Sequence, residues 1–177
     1  MRVAVTGHRD LTARSALAVE AWIRDLLGSH APGLVGVSCL AEGADQIFAR
    51  VVLDLGGTLE AVVCAADRRR ALPATARDLY DRLLGAAARI RRLPFAESTS
   101  HAHEAANLVM LEAVDELIAV WDGRPARGRG GTAEVVGEAR RRGIPVRLVW
   151  PPGSARSSAY GRAAIDRFVT NSYAAGK

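Results

Sequence analysis

Short apolar runs alternate along the chain with longer stretches in which apolar residues return every three or four positions. The short runs read as buried strands and the longer ones as amphipathic helices. The first strand spans 2–6, and a helix follows over 12–28, where Leu17, Ala18, Ala21, Trp22 and Leu26 mark a core-facing stripe. Pro32-Gly33 breaks the chain before a strand at 34–38. A helix over 43–55 stops at Gly56-Gly57, and a strand covers 58–64. Pro73 opens a helix reaching Ala87, and a short strand covers 88–93. The pattern continues with a helix at 100–114, a strand at 116–121, a glycine-rich loop at 128–131, a helix at 132–142 and a strand at 145–150. Strands and helices that alternate in this way predict a three-layer α/β domain with a mostly parallel sheet and crossover helices. That Rossmann-like domain covers 1–152. Pro151-Pro152-Gly153 closes it, and 153–177 reads as a tail with one short helix at 159–168.

Composition supports one domain. The chain has 177 residues, 49% of them hydrophobic, and a mean hydropathy of +0.05, so a sizeable core is available. No run approaches the roughly 18 apolar residues of a membrane helix. The N-terminus reads as a strand and lacks the features of a signal peptide, so a cytoplasmic protein without membrane contact is expected. Cys39 and Cys64 have no metal-ligand spacing and read as small buried hydrophobes.

The net charge of +5 is carried by arginine, since Lys177 is the sole lysine. The arginines lie in scattered clusters and are not interleaved with aromatic residues, which make up 5% of the chain. A site for a small anionic ligand accounts for the charge better than a nucleic-acid groove, and specific nucleic-acid binding is not expected.

In an open parallel sheet, ligands sit beyond the carboxyl ends of the strands. Four segments there carry chemistry. Thr6-Gly7-His8-Arg9-Asp10 follows the first strand, with Gly7 permitting a tight turn and His8 and Arg9 supplying basic groups. Ser38 to Asp45 follows the second: small residues let a ligand sit on the helix N-terminus, Glu42 and Asp45 serve there or as first-turn caps, and Asp45 is also a candidate partner for a ribose hydroxyl. Asp67-Arg68 follows the third, either to meet a base or sugar or as a solvated loop. Trp121-Asp122-Gly123 and then Gly130-Gly131-Thr132-Ala133-Glu134 follow the fifth. Glycines and a threonine before a helix form a phosphate cradle of backbone N–H groups, a hydroxyl and a positive dipole end; otherwise Thr132 is a plain helix cap. This is neither a Walker A loop nor a dinucleotide fingerprint. His101-x-His103 lacks a third metal ligand, so no metal site is expected.

These segments together resemble the SLOG superfamily, which takes in the Smf/DNA-processing A proteins and the lonely-guy proteins. The resemblance covers about 2–150 and rests on Val5-Thr6-Gly7-His8-Arg9, the 38–45 segment, Trp121-Asp122-Gly123 and Gly130-Gly131-Thr132-Ala133-Glu134. It implies a Rossmann-like domain that binds a nucleotide or nucleotide-sugar ligand, with Gly7, His8, Arg9, Ser38, Glu42, Gly43, Asp45, Gly130, Gly131 and Thr132 around it, no separate cofactor, and a homo-oligomer. Lonely-guy enzymes remove the base from a nucleoside monophosphate with a glutamate in P-G-G-x-G-T-x-x-E. In this chain Arg127-Gly128-Arg129-Gly130 departs from that motif and Val135 stands at the glutamate position. Glu134, one residue earlier, points about 100° away on the helix. If the chain is a glycosidase, Glu134 and Asp122 are its candidate catalytic carboxylates, with Glu42 and Asp45 in reserve.

Overall fold

The computed structural model describes residues 1–125 and 130–157. The expected tail helix at 159–168, and Gly128 and Arg129 of the expected glycine-rich loop, lie outside the described residues. The strands are β1 (Arg2–Gly7), β2 (Val35–Ser38), β3 (Thr58–Val63), β4 (Arg89–Arg92), β5 (Glu116–Val120) and β6 (Val146–Leu148). The helices are α1 (Ala13–Gly28), α2 (Ala44–Asp54), α3 (Arg68–Ala71), α4 (Ala74–Ala86), α5 (Ser100–Met110) and α6 (Thr132–Arg141), with a 3₁₀ turn at Leu111–Ala113. All strand pairs are parallel and the order is β4-β3-β2-β1-β5-β6. The chain runs outward from β1 to β4, then returns to place β5 on the other side of β1. Strand order therefore reverses at β1, where a parallel sheet opens a crevice.

Alternate residues of the strands feed two cores. Val3, Val5, Ile118 and Val120 pack under α1 and α2 against Phe48, Val51 and Val52, and α4 extends this layer over Leu59 and Ala61 through Tyr80 and Leu83. Ala4, Val37, Val62 and Leu117 face α5 and α6 through Ala102, Ala106, Val135 and Ala139. β5, with all five residues buried, lies between β1 and the edge strand β6. Its edges are poor templates for further pairing: β4 presents exposed Arg89, Arg91 and Arg92, and β6 is three residues long.

The stripe expected on α1 is out of phase. Ala16, Val19, Ile23 and Leu27 face the core, while Leu17 is 53% and Trp22 39% exposed. The helix carries two overlapping apolar stripes. Its start selects between them: Thr12 caps the helix by accepting from Ser15 N–H, and the buried Ser15 hydroxyl accepts the Ala155 N–H at 2.8 Å. That anchor turns the 16-19-23-27 row onto α2. The helix expected at 100–114 ends at Met110 in the 3₁₀ turn, and α3 is an additional turn at a segment read as loop.

Candidate functional site

A cavity of about 530 Å³ opens beyond the carboxyl ends of β1, β2 and β5, between the β1–α1 loop, α5 and the start of α6. Its floor depends on two glycines. A Cβ on Gly7 would lie 2.5 Å from Ala44 Cβ, 2.7 Å from Val120 Cβ and 2.9 Å from Val120 O. Gly43 has φ +81°, and a Cβ there would meet His8 O at 2.6 Å. The Ala44 N–H donates to His8 O at 3.2 Å, so α2 begins directly against the β1–α1 loop. Gly7 lines the cavity, whereas Gly43 acts from behind by letting the two loops interlock.

His8 is buried, with its ring edge-on to Trp150 at 5.4 Å. Burial first, and then Arg156, hold the imidazole below its usual pKa despite Asp122, so it is neutral at pH 7. Its Nε2 accepts the Asp122 N–H at 3.1 Å. The Asp122 carboxylate accepts Arg124 N–H at 3.1 Å and lies 3.8 Å from Arg156 Nη1. Burial opposes its charge, but the Arg124 N–H, His8 and Arg156 outweigh it and keep the pKa low. Asp122 thus shapes the turn after β5 and does not itself line the cavity. Arg156 also pairs with Asp10 at 3.1 Å, and Thr12 N–H donates to Ala155 O at 3.2 Å. Residues 151–157 thereby return across the β1–α1 loop and place Arg156 in the cavity wall. No signal in the tail sequence distinguished that arginine.

The β2–α2 loop holds the second group. Leu40 has φ +52°, unusual for a residue with a side chain. Ser38 supports it from inside: its buried hydroxyl accepts Leu40 N–H at 3.0 Å and donates to Asp45 O at 3.4 Å. Gln46 Nε2 donates to Leu40 O at 3.4 Å and Ala76 O at 3.2 Å. Ser38 therefore braces the loop and does not line the cavity, whereas Glu42 and Asp45 do. Neither acid caps α2, which begins on Gly43 without a side-chain cap. Asp45 is buried and accepts Ala41 N–H at 3.3 Å. Burial lifts its pKa to about 6, against the Ala41 N–H, Arg9 and Arg68.

Arg68 opens α3 beyond β3 and is only 3% exposed. It lines the cavity, and its Nη2 has no hydrogen-bond partner among the described residues. Of the two readings of Asp67-Arg68, the cavity contact fits Arg68, while Asp67 accepts the Ser98 hydroxyl at 2.7 Å. His101 and His103 separate: His101 is exposed and stacks edge-on to Phe95, while His103 faces the cavity. Burial first, then Arg9 and Arg68, lower the His103 pKa to about 4. Cys64 is buried; Cys39 lines the cavity, and burial pushes its thiol well above the usual range.

The third wall is the start of α6. Gly131 is the N-cap residue, with no side-chain cap, and Thr132 is the first helical residue rather than the cap. Gly131, Thr132 and Ala133 line the cavity with the N–H groups that a helix start leaves free. Asn107 Nδ2 donates to Gly130 O at 3.3 Å and fixes the turn. Glu134 is exposed, turns back to accept Gly130 N–H at 2.6 Å, and does not line the cavity. Val135 is buried in the core against α5. Among the described residues no group of three or more His, Cys, Asp or Glu is placed to hold a metal ion, and no helix is long and apolar enough to cross a membrane.

No protein-family model and no curated protein matches the chain. Solved structures do. DNA processing protein A of Streptococcus pneumoniae superposes with a TM-score of 0.62 at 22% identity, over 97% of this chain and 56% of that one, so the chain spans little more than half of that protein. DNA processing protein A of Helicobacter pylori, described with a single-stranded DNA binding mode, gives 0.63 at 17% identity over 98% and 80%. The molybdenum cofactor binding protein of Rippkaea orientalis gives 0.55 at 13% identity over 96% and 85%. The shared feature is the fold, a Rossmann-like α/β domain.

Proposed function

We propose that the chain binds a nucleotide-derived ligand and holds its phosphate at the Gly130-Gly131-Thr132 turn. The observation that carries this reading is the start of α6: it enters the cavity without a side-chain cap, with Thr132 in the wall. Glu134 holds the Gly130 N–H, and the N–H groups of the first α6 turn with the positive end of the helix dipole favour a phosphate there. The cavity volume of about 530 Å³ suits a nucleotide-sized molecule. Arg9, Arg124 and Arg156 lend the wall positive charge. The test is a thermal-shift screen over nucleotides followed by titration calorimetry, because a ligand specific for the native state raises the melting temperature. Thr132→Val removes one hydroxyl at constant shape, and affinity falls by about 1–2 kcal/mol, the scale of a hydrogen bond to a charged group. Unchanged affinity for every nucleotide tested overturns the assignment.

A second reading, N-glycosidic cleavage of a nucleoside monophosphate, is favoured by Asp45. A buried carboxyl in the cavity wall with a pKa of about 6 suits proton transfer near neutrality. Glu134 and Asp122 do not line the cavity; Glu134 turns back to Gly130 N–H and Asp122 to Arg124 N–H. Release of free base from AMP, CMP or GMP that disappears in Asp45→Asn supports this reading. Turnover lost instead in Glu134→Gln keeps the cleavage but moves its acid from Asp45 to the exposed Glu134.

A further inference from the structure

We propose that the ligand carries two anionic groups held apart, such as a nucleoside phosphorylated at both its 3′ and 5′ oxygens, and that Arg68 and Arg9 form the second anion subsite. The proposal deepens the nucleotide reading above and rests on it.

Arg68 is 97% buried by its 3% exposure, faces the cavity, and leaves Nη2 without a hydrogen-bond partner among the described residues. A buried guanidinium with an unmet donor is costly unless an acceptor arrives. The carboxylates nearby take other donors, Asp45 the Ala41 N–H and Asp67 the Ser98 hydroxyl, and neither meets Arg68 Nη2. Arg9 joins from the β1–α1 loop, and both guanidiniums act on the same groups, Asp45 and His103. Both arginines line the cavity, together with a neutral His103.

Arg68 stands apart from the start of α6. Arg68 follows β3 and α6 follows β5, and β2 and β1 lie between those strands. Three interstrand spacings put the strand ends about 14 Å apart. One phosphate seated at Gly131 and Thr132 is too small to satisfy Arg68 as well. His103 lies between, since a Cβ on Gly130 would sit 3.6 Å from its own Cβ. The Arg68 side chain reaches from its strand end into the cavity wall and shortens that span, so the two anions fall on one sugar, as on a ribose phosphorylated at both its 3′ and 5′ oxygens.

Calorimetry with adenosine 5′-monophosphate and adenosine 3′,5′-bisphosphate, repeated with the other bases, tests this. In the wild-type chain the bisphosphate binds roughly tenfold tighter or better, the scale of an added charged hydrogen bond. Arg68→Gln removes that advantage, while Arg68→Lys keeps part of it. A 5′-phosphorylated dinucleotide and a longer thymidine strand separate the two sources of this chemistry: saturation by the dinucleotide marks a small ligand, further gain with length a single strand. Equal wild-type affinities for mono- and bisphosphate overturn the second subsite alone, as does an advantage that survives Arg68→Gln. Binding of neither overturns the phosphate reading too. The wild-type comparison decides the matter even where the glutamine variant does not fold.

Discussion

Asp45→Asn is expected to stabilise the protein at neutral pH, and by an amount that depends on pH. The carboxyl is 6% exposed, and its pKa rises from 3.8 to about 6 in the folded chain. Burial is the main cause, opposed by the Ala41 N–H, Arg9 and Arg68. A folded pKa above the unfolded value means that the native state holds the proton more tightly. Between about pH 4 and 6 the unfolded chain has released that proton while the folded chain keeps it, so the contribution of this group to stability falls as pH rises. A shift of this size corresponds to about 3 kcal/mol, fully felt above pH 6. Asparagine has no proton to lose there and still accepts from Ala41 N–H. The gain of Asp45→Asn over wild type is therefore about 3 kcal/mol larger at pH 7 than at pH 4, or about 6–12 °C in melting temperature for a domain of this length. Other acids with depressed pKa, such as Glu60 beside Arg2, lose their contribution as pH falls, but they occur in both proteins and cancel. The assay is urea or thermal unfolding of both proteins across that range. A difference that does not change with pH refutes the reasoning. An anion bound beside Arg9 and Arg68 raises the Asp45 pKa further, so ligand binding near neutral pH takes up protons.

Gly7→Ala drives a Cβ into Ala44, Val120 and the Val120 carbonyl and costs at least 1–3 kcal/mol of stability, read as a lower melting temperature; Gly137→Ala, in the exposed middle of α6 with nothing within 4 Å, gains about 0.5–1 kcal/mol. Sedimentation equilibrium is expected to return twice the 18.8 kDa chain mass, and a monomer at micromolar concentration refutes this. Single-stranded DNA is expected to bind weakly, with an affinity that collapses as salt rises; tight binding at physiological salt favours a DNA-handling role.

The layered α/β fold was legible because β-branched and aliphatic runs alternate with helical periodicity, and glycine and proline pairs punctuate them. The sequence did not resolve the face of α1, where two apolar stripes overlap and a contact from Ala155, 140 residues away from Ser15, chooses between them. Within the site, Gly7, His8, Arg9, Glu42, Asp45, Gly130, Gly131 and Thr132 were found by their places after strands, and all eight line the cavity. Ser38 and Gly43 share that placement but act from behind, which depends on backbone geometry such as φ +52° at Leu40. Arg156 belongs to the cavity through tertiary folding of a segment that reads as tail. Arg68 stood in view after β3, but its burial, the property that distinguishes it from Arg69 and Arg70, has no local signature.

The two ends of the sheet bear on how copies of this chain can associate. Strand-to-strand joining would bring exposed Arg89, Arg91 and Arg92 of one copy against the same charges or against the three-residue β6 of another. Like charges at close range repel, and so short a strand offers few backbone partners. Self-association is thus steered away from a continuous intermolecular sheet and toward helix faces, where Leu17 and Trp22 on α1 and Leu108 on α5 are exposed. A pair formed there leaves the strand ends, and the crevice beyond them, open to solvent.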